Sequence, residues 1–340
     1  MGEWLIYRGV SEPHDGIDEL PDPPPWRDFA HDGRLTPFDR TADEGGADRR
    51  LPGADAYRAD EGTVEAVNTA LYLRRPLLVT GDPGVGKSTL AHAVARELKL
   101  GQVLRWPVNS KTELRDGLYR YDSLGRLEEA GVARELGTGG GQGAADLGRY
   151  VRLGPLGTAL APYALPRVLL IDEIDKCDID LPNDLLDVFE EGSFEIPELS
   201  RVADTQPEVR VRPADDGEAV SVVRGTVRCH AFPFTILTSN GEREFPPAFL
   251  RRCVRLHLPA VEDDERLRAI VRAHLPGADG HADAVIARFL RRAASGELAT
   301  DQLLNAVYLM SRTSGAGAPD LDRLSELVFH HLNVTVPAES

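Results

Sequence analysis

Long apolar runs, lysine and cysteine are scarce in this sequence. No stretch of the 340 residues approaches the roughly 20 consecutive apolar positions that a membrane-spanning helix requires. The opening MGEWLIYRGV has neither a basic n-region nor a signal-type apolar segment, so the expectation is a cytoplasmic protein with no membrane partner. Cys177, Cys229 and Cys253 stand apart with no CxxC spacing. That suggests neither a disulfide framework nor a zinc site and favours buried, reduced thiols. The only lysines are Lys87, Lys99, Lys111 and Lys176. Positive charge is short altogether: 39 Lys and Arg against 55 Asp and Glu give a formal net charge of −16. Nucleic acid is therefore a disfavoured partner, because contact with a phosphate backbone needs cationic surface.

What is present divides the chain by composition. A hydrophobic content of 42% over this length allows a sizeable core and two domains. Residues 1–55 are rich in Pro, Asp and Gly and read as an arm without a core of its own. Trp4, Leu5, Ile6 and Tyr7 could dock that arm on the body or on a neighbour; a poorly ordered terminus is the other reading. From 56 to 260, strand-like apolar runs alternate with helical patterns, the mark of an α/β domain with a mostly parallel sheet. From 261 to 335 four amphipathic helices are expected, carrying Leu267 and Val271, then Ile286 and Phe289, then Leu303 and Val307, then Leu324 and Val328. They make a small all-α second domain.

Three stretches carry chemistry. In RPLLVTGDPGVGKST, Gly81, Gly86, Lys87 and Ser88 satisfy GxxxxGK[ST] between an apolar strand and an amphipathic helix. Such a loop wraps backbone N–H groups round a β-phosphate, with Asp82, Pro83, Gly84, Val85, Gly86, Lys87, Ser88 and Thr89 as nucleotide contacts. Lys87 supplies a cation and the Ser88 hydroxyl an Mg²⁺ ligand, while Thr89 lies one position too late for the metal. In RVLLIDEIDKCD a buried strand ends in Asp172 and Glu173. At a strand's carboxyl end Asp172 would hold Mg²⁺ and Glu173 would deprotonate an attacking water. In FPFTILTSNGERE another buried strand ends at Asn240, whose amide either helps position that water or only shapes a turn. Just beyond it Arg243, Arg251, Arg252 and Arg255 crowd together in an acidic chain.

GDPGVGKST, LLIDEID, the strand ending in Asn240, and the run Phe249, Leu250, Arg251, Arg252 resemble the Walker A, Walker B, sensor 1 and arginine-finger elements of AAA+ ATPases, the MoxR type in particular. The resemblance implies a P-loop NTPase core of three layers, αβα, with a parallel sheet, followed by a small all-α lid. It also implies ATP and Mg²⁺ as cofactors, and a ring homo-oligomer, usually a hexamer, in which Arg251 or Arg252 of one subunit completes the site of the next. Pairing with Glu242, Glu244 or Glu262 stays open for Arg243 and Arg255. In the family the adenine packs against the segment entering the first strand and against the lid, which makes Tyr57 and Val64 candidates, although an aromatic before a helix also reads as core.

Residues of about 114–160 resemble the helix-2 insert of this clade, with an added Gly-rich loop at 137–143. A hairpin insert is expected at about 205–230, where Val209 and Val211 alternate with Arg210 and Arg212 before a turn and Val220 and Val222. In related rings both inserts face the central pore; a surface hairpin without contacts is the plainer alternative. No aromatic pore-loop motif of the threading unfoldases is present. One departure is notable: the lid stretch LATDQLLNAV has Asp301 and Gln302 where MoxR-type lids carry a sensor 2 arginine. The functional expectation is an ATPase that remodels or activates a protein client, such as a von Willebrand A domain protein or a defence-system component. Alternatives are a nucleic-acid motor or loader and a non-hydrolysing, ATP-dependent switch or scaffold.

Overall fold

The computed structural model describes residues 4–29, 34–40, 57–135, 147–259, scattered positions between 267 and 290, and 300–313. Five strands form one parallel sheet: β1 (Leu77–Thr80), β2 (Leu104–Pro107), β5 (Val168–Asp172), β10 (Phe234–Ser239) and β11 (Val254–His257), in the order β11-β1-β10-β5-β2. β5 and β10 are buried at every position, as central parallel strands covered on both faces must be. β2, at an edge, alternates buried and exposed.

The period of two along each strand sorts its side chains into two layers. Leu77, Val79, Val168, Leu170 and Ile236 pack on one face with α1 (Glu61–Leu73) and α2 (Lys87–Glu97). Leu78, Leu169, Ile171 and Leu237 pack on the other, with α5 (Pro155–Ala159) and α6 (Asp180–Glu191). The sequence expectation of an αβα sandwich is met. α1 starts where Asp60 accepts from the Thr63 N–H at 2.7 Å, and α2 starts at Gly86 without any side-chain cap.

Two expectations change. Residues 4–29 do not merely trail as an arm: Ile6, Tyr7 and Ile17 are buried in the same core layer as α1 and α2. The reason is polar as much as apolar. Asn68 of α1 accepts from the Ile6 and Tyr7 N–H groups at 2.7 and 3.0 Å and returns a bond to the Tyr7 carbonyl. Glu97, at the end of α2, accepts from the Arg8 and Val10 N–H groups at 2.5 and 2.7 Å. The hairpin insert is also more than a hairpin. β7 (Glu208–Val211) and β8 (Val220–Val223) pair with Val209 opposite Val222 and Val211 opposite Val220, and all four valines are buried. β9 (Thr226–Arg228) and β6 (Ser193–Glu195) extend them to a four-stranded antiparallel sheet. The helix-2 insert adds α3 (Leu114–Leu118), α4 (Ser123–Glu135) and the antiparallel pair β3 (Tyr119–Tyr121) and β4 (Val151–Leu153).

Towards the C-terminus, Leu267, Val271, Ile286 and Phe289 share a separate apolar cluster with Leu303 and Val307 of the helix Thr300–Thr313. The expected helix around Leu324 and Val328, and the Gly-rich loop at 137–143, lie outside the described residues.

Candidate active site

Register places the chemistry at one end of the sheet. Thr80 pairs with Ser239, Leu237 with Ile171, and Pro107 with Asp172, so β1, β10, β5 and β2 all finish at a common level. The loop from Gly81 to Gly86 joins β1 to α2 there. Its Gly84 and Gly86 have φ of 81° and 95°, and a Cβ on Gly86 would sit 3.3 Å from the Tyr57 ring. Only glycine holds that backbone without strain.

Lys87 is folded into this loop and almost buried. Its Nζ donates to the carbonyls of Gly81 and Asp82 at 2.7 and 2.8 Å and to Asn240 Oδ1 at 2.7 Å. Burial lowers its pKa, against the pull of Asp175, Asp82, Asp172 and Glu173, which favour the charged form. Ser88 Oγ donates to Asp172 Oδ1 at 2.8 Å, so the hydroxyl and carboxylate meet across the sheet end. Thr238 donates to the same oxygen at 2.8 Å, and its Oγ1 accepts from the Glu173 N–H at 2.9 Å. The other oxygen, Oδ2, takes Arg105 Nη2 at 2.6 Å and Nε at 3.2 Å. Burial alone would raise the Asp172 pKa, yet the bonds from Arg105, Ser88 and Thr238 outweigh it and hold the carboxyl below its ordinary value.

Glu173 has a left-handed backbone, φ 61°, and its side chain is half-exposed, accepting from Lys176 Nζ at 2.8 Å. Asn240 is fixed from behind: Asp175 Oδ2 accepts its N–H at 2.8 Å and the Glu242 N–H at 3.1 Å. Tyr57 lies against Gly86 and Val64 is buried in the α1–α2 layer.

The arginines diverge. Arg252 Nε donates to Glu190 of α6 at 2.9 Å and its Nη1 to the Ala248 carbonyl. Arg243 donates to the Cys177 carbonyl at 2.6 Å, not to Glu242 or Glu244. Arg251 caps α8 (Pro247–Leu250) with an exposed side chain that bonds to nothing among the described residues, while its carbonyl accepts from Arg75.

The structure thus brings Lys87, Ser88, Asp172, Glu173 and Asn240 together and keeps Arg251 and Arg252 at a separate surface. Sequence reasoning missed Arg105, Thr238 and Asp175. Asp175 is visible in LLIDEID as a third acid; Arg105 could be found only by knowing that β2 runs beside β5. An uncapped helix N-terminus behind a glycine loop and a buried ammonium suit a phosphate. A hydroxyl and an ionised carboxylate in contact suit a hard divalent cation. Among the described residues no group of three or more His, Cys, Asp or Glu is placed to hold a metal ion by itself. No helix of the described residues is long and apolar enough to cross a membrane.

No curated protein matches this chain. The family described as AAA domain (dynein-related subfamily) matches residues 76–253, from the residue before β1 to the one before β11. That is more than half of the 340 residues and takes in the glycine loop, Asp172, Glu173, Asn240 and both arginines. The chain belongs to the AAA domain family of the dynein-related subfamily.

Proposed function

We propose that this protein hydrolyses ATP at a site shared between two copies of itself in a ring, and uses the turnover to remodel a protein client. Membership of the AAA family implies ATP-driven activity and ATP binding, typically with Mg²⁺. The observation that carries the finer reading is the division of labour among side chains. Lys87, Asn240, Ser88 and Asp172 are interlocked at one sheet end, whereas Arg251 is an exposed guanidinium with no side-chain partner among the described residues.

In this reading the loop 82–86 and Lys87 bind and orient the phosphates. Ser88 and Asp172 hold Mg²⁺, which when bound offsets phosphate charge. Glu173 takes a proton from the attacking water, for which its carboxylate must leave Lys176. Asn240, already bonded to Lys87, orients the reacting end of the site. Arg251 enters the neighbour's site, where a guanidinium stabilises charge on the phosphoryl oxygens. Arg252 is the weaker choice for that task because Glu190 already holds it.

Turnover of ATP with and without Mg²⁺, for wild type and Glu173→Gln, tests this. Loss of a general base lowers the rate by about 10²–10⁴-fold, so the variant should bind ATP and release almost no phosphate. A wild-type rate no higher than that of the variant would instead support a non-hydrolysing switch. That second reading draws on the family resemblance, which puts a phosphate-reaching arginine where this chain has Asp301 and Gln302; Gln302 is buried.

A further inference from the structure

The two inserts are not separate. The Leu153 N–H donates to the Arg212 carbonyl at 2.8 Å, and Arg152 and Arg212 form a parallel bridge. The two-stranded sheet β3-β4 and the four-stranded sheet β6-β9-β8-β7 are thus joined, by an isolated bridge just past the end of β7, into one surface. One face of it is apolar and buried: Tyr119, Val151, Leu153, Val209, Val211, Val220 and Val222. The other face carries arginines in a row. Arg120 lies directly opposite Arg152, Arg152 bridges to Arg212, and Arg210 follows two residues along β7 on the same side. All four are exposed. Arg152 donates to the carbonyls of Pro213 and Ala214, and among the described residues no carboxylate pairs with any of the four.

Like charges directly across a strand pair destabilise it. A chain with 55 acidic residues against 39 basic ones has carboxylates in surplus to relieve such a row. Here the carboxylates of the same face, Glu208 and Glu195, sit towards its far end, and Glu208 is engaged by Ser221. Unrelieved repulsion in an acidic protein is a surface waiting for an anion.

We propose that this arginine ladder is a docking surface for an acidic segment of a protein partner. A polypeptide fits better than a nucleic acid for two reasons. Single strands are held by stacking bases on aromatic rings as well as by charge, and the arginine face of the ladder offers no ring among the described residues. The adjoining α4 instead exposes aliphatic side chains: Leu124 and Leu127 are 71% and 69% exposed. α4 is tied to the ladder by Arg126, which donates to the Tyr121 hydroxyl at 2.8 Å, and by Glu129, which accepts from Tyr150. The rest of the surface, net acidic, repels a long polyanion while leaving room for a short one. This inference goes beyond the ATPase reading and does not need it, since binding is measured without nucleotide.

The test is fluorescence anisotropy of a labelled oligoglutamate peptide against the full chain at low and high salt. An oligoglutamine peptide and a single-stranded DNA of equal charge are run beside it. The double variant Arg120→Glu, Arg212→Glu alters two exposed side chains that make no hydrogen bond among the described residues. Its thermal midpoint should be no lower than that of wild type, since a glutamate at position 120 would face Arg152 with opposite charge, and its ATP turnover should match wild type. Oligoglutamate should bind wild type, lose roughly tenfold or more in affinity in the variant, and weaken with salt as exposed charge pairs do; oligoglutamine should not bind. Absence of oligoglutamate binding, equal binding by the variant, or tighter binding of DNA than of oligoglutamate would each overturn the proposal. Loss of turnover in wild type with peptide binding intact would count against the ATPase reading alone.

Discussion

Lys87 shows how much work one side chain does before any ligand arrives. Its three acceptors, Gly81 O, Asp82 O and Asn240 Oδ1, brace the glycine loop against the end of β10. Charge-assisted bonds of this kind contribute about 1.5–3 kcal/mol each. Lys87→Ala should reduce ATP affinity by at least about a hundredfold, since each tenfold is about 1.4 kcal/mol; calorimetric titration reads this directly, and affinity near wild type would show the cradle to be misassigned. Arg105 is a different case. Its partner Asp172 is buried, but the Arg105 side chain is 57% exposed, so solvent screens the pair. Arg105→Gln should therefore cost about 1 kcal/mol, seen as a small fall in thermal midpoint that shrinks at high salt. A large, salt-insensitive loss would mean that Asp172 cannot be carried by Ser88 and Thr238 alone. The three thiols are inert for an opposite reason: burial pushes Cys177 to about 11 and Cys229 and Cys253 to about 12. Near pH 8 each stays protonated in the folded chain, and only the thiolate is nucleophilic. A thiol reagent should label none of them rapidly in the native protein and all three in denaturant; a fast native phase would expose a reactive cysteine.

At the scale of elements, the strands were legible because their chemistry repeats. LLV, VLLID and FTILTS are legible as short apolar runs, whose period of two then sorts side chains into layers. The hairpin strands were legible from Val209 and Val211 alternating with Arg210 and Arg212, and from Val220 and Val222, while the register comes from the pairing itself. What was hidden depends on contacts distant in sequence. Asn68 and Glu97 read as the polar stripe of amphipathic helices, yet both are turned inward to receive the N-terminal segment. Nothing within ten residues of Glu97 announces that Arg8 and Val10 will come to it. Likewise β6 joins β9 across more than thirty residues, and Arg105 meets Asp172 only because β2 is neighbour to β5. The arm gives a direct check. Glu97→Ala removes the acceptor of two backbone N–H groups and of His14 Nε2, 3.1 Å away. Leaving buried donors unsatisfied costs about 1–3 kcal/mol each. The segment should peel away first, so limited proteolysis should cut near residues 8–20 well before the sheet is attacked. Protection equal to wild type would show that Ile6, Tyr7 and Ile17 suffice to hold it.

For the whole molecule the decisive question is whether one chain is a complete enzyme. The residues proposed to grip phosphate and cation lie at the ends of β1, β5 and β10, but Arg251 caps α8, beyond β10 and before β11. Its side chain makes no bond among the described residues, whereas Arg252 is tethered to Glu190. If Arg251 serves the neighbour's site, two different defects placed in different subunits should partly cancel. Lys87→Ala subunits have no working cradle but still present Arg251; Arg251→Ala subunits bind ATP but lack the donated charge. Each alone should be nearly inactive, the second by roughly 10³-fold or more if the arginine supplies what such fingers typically do. Mixed in equal amounts and allowed to exchange, they form interfaces in which an intact cradle faces an intact arginine, and phosphate release should recover to a substantial fraction of wild type. An Arg252→Ala partner should give no such recovery, because that variant should already be active by itself. Mixtures as dead as their components, or an Arg251→Ala protein with full turnover, would place the whole reaction within a single chain.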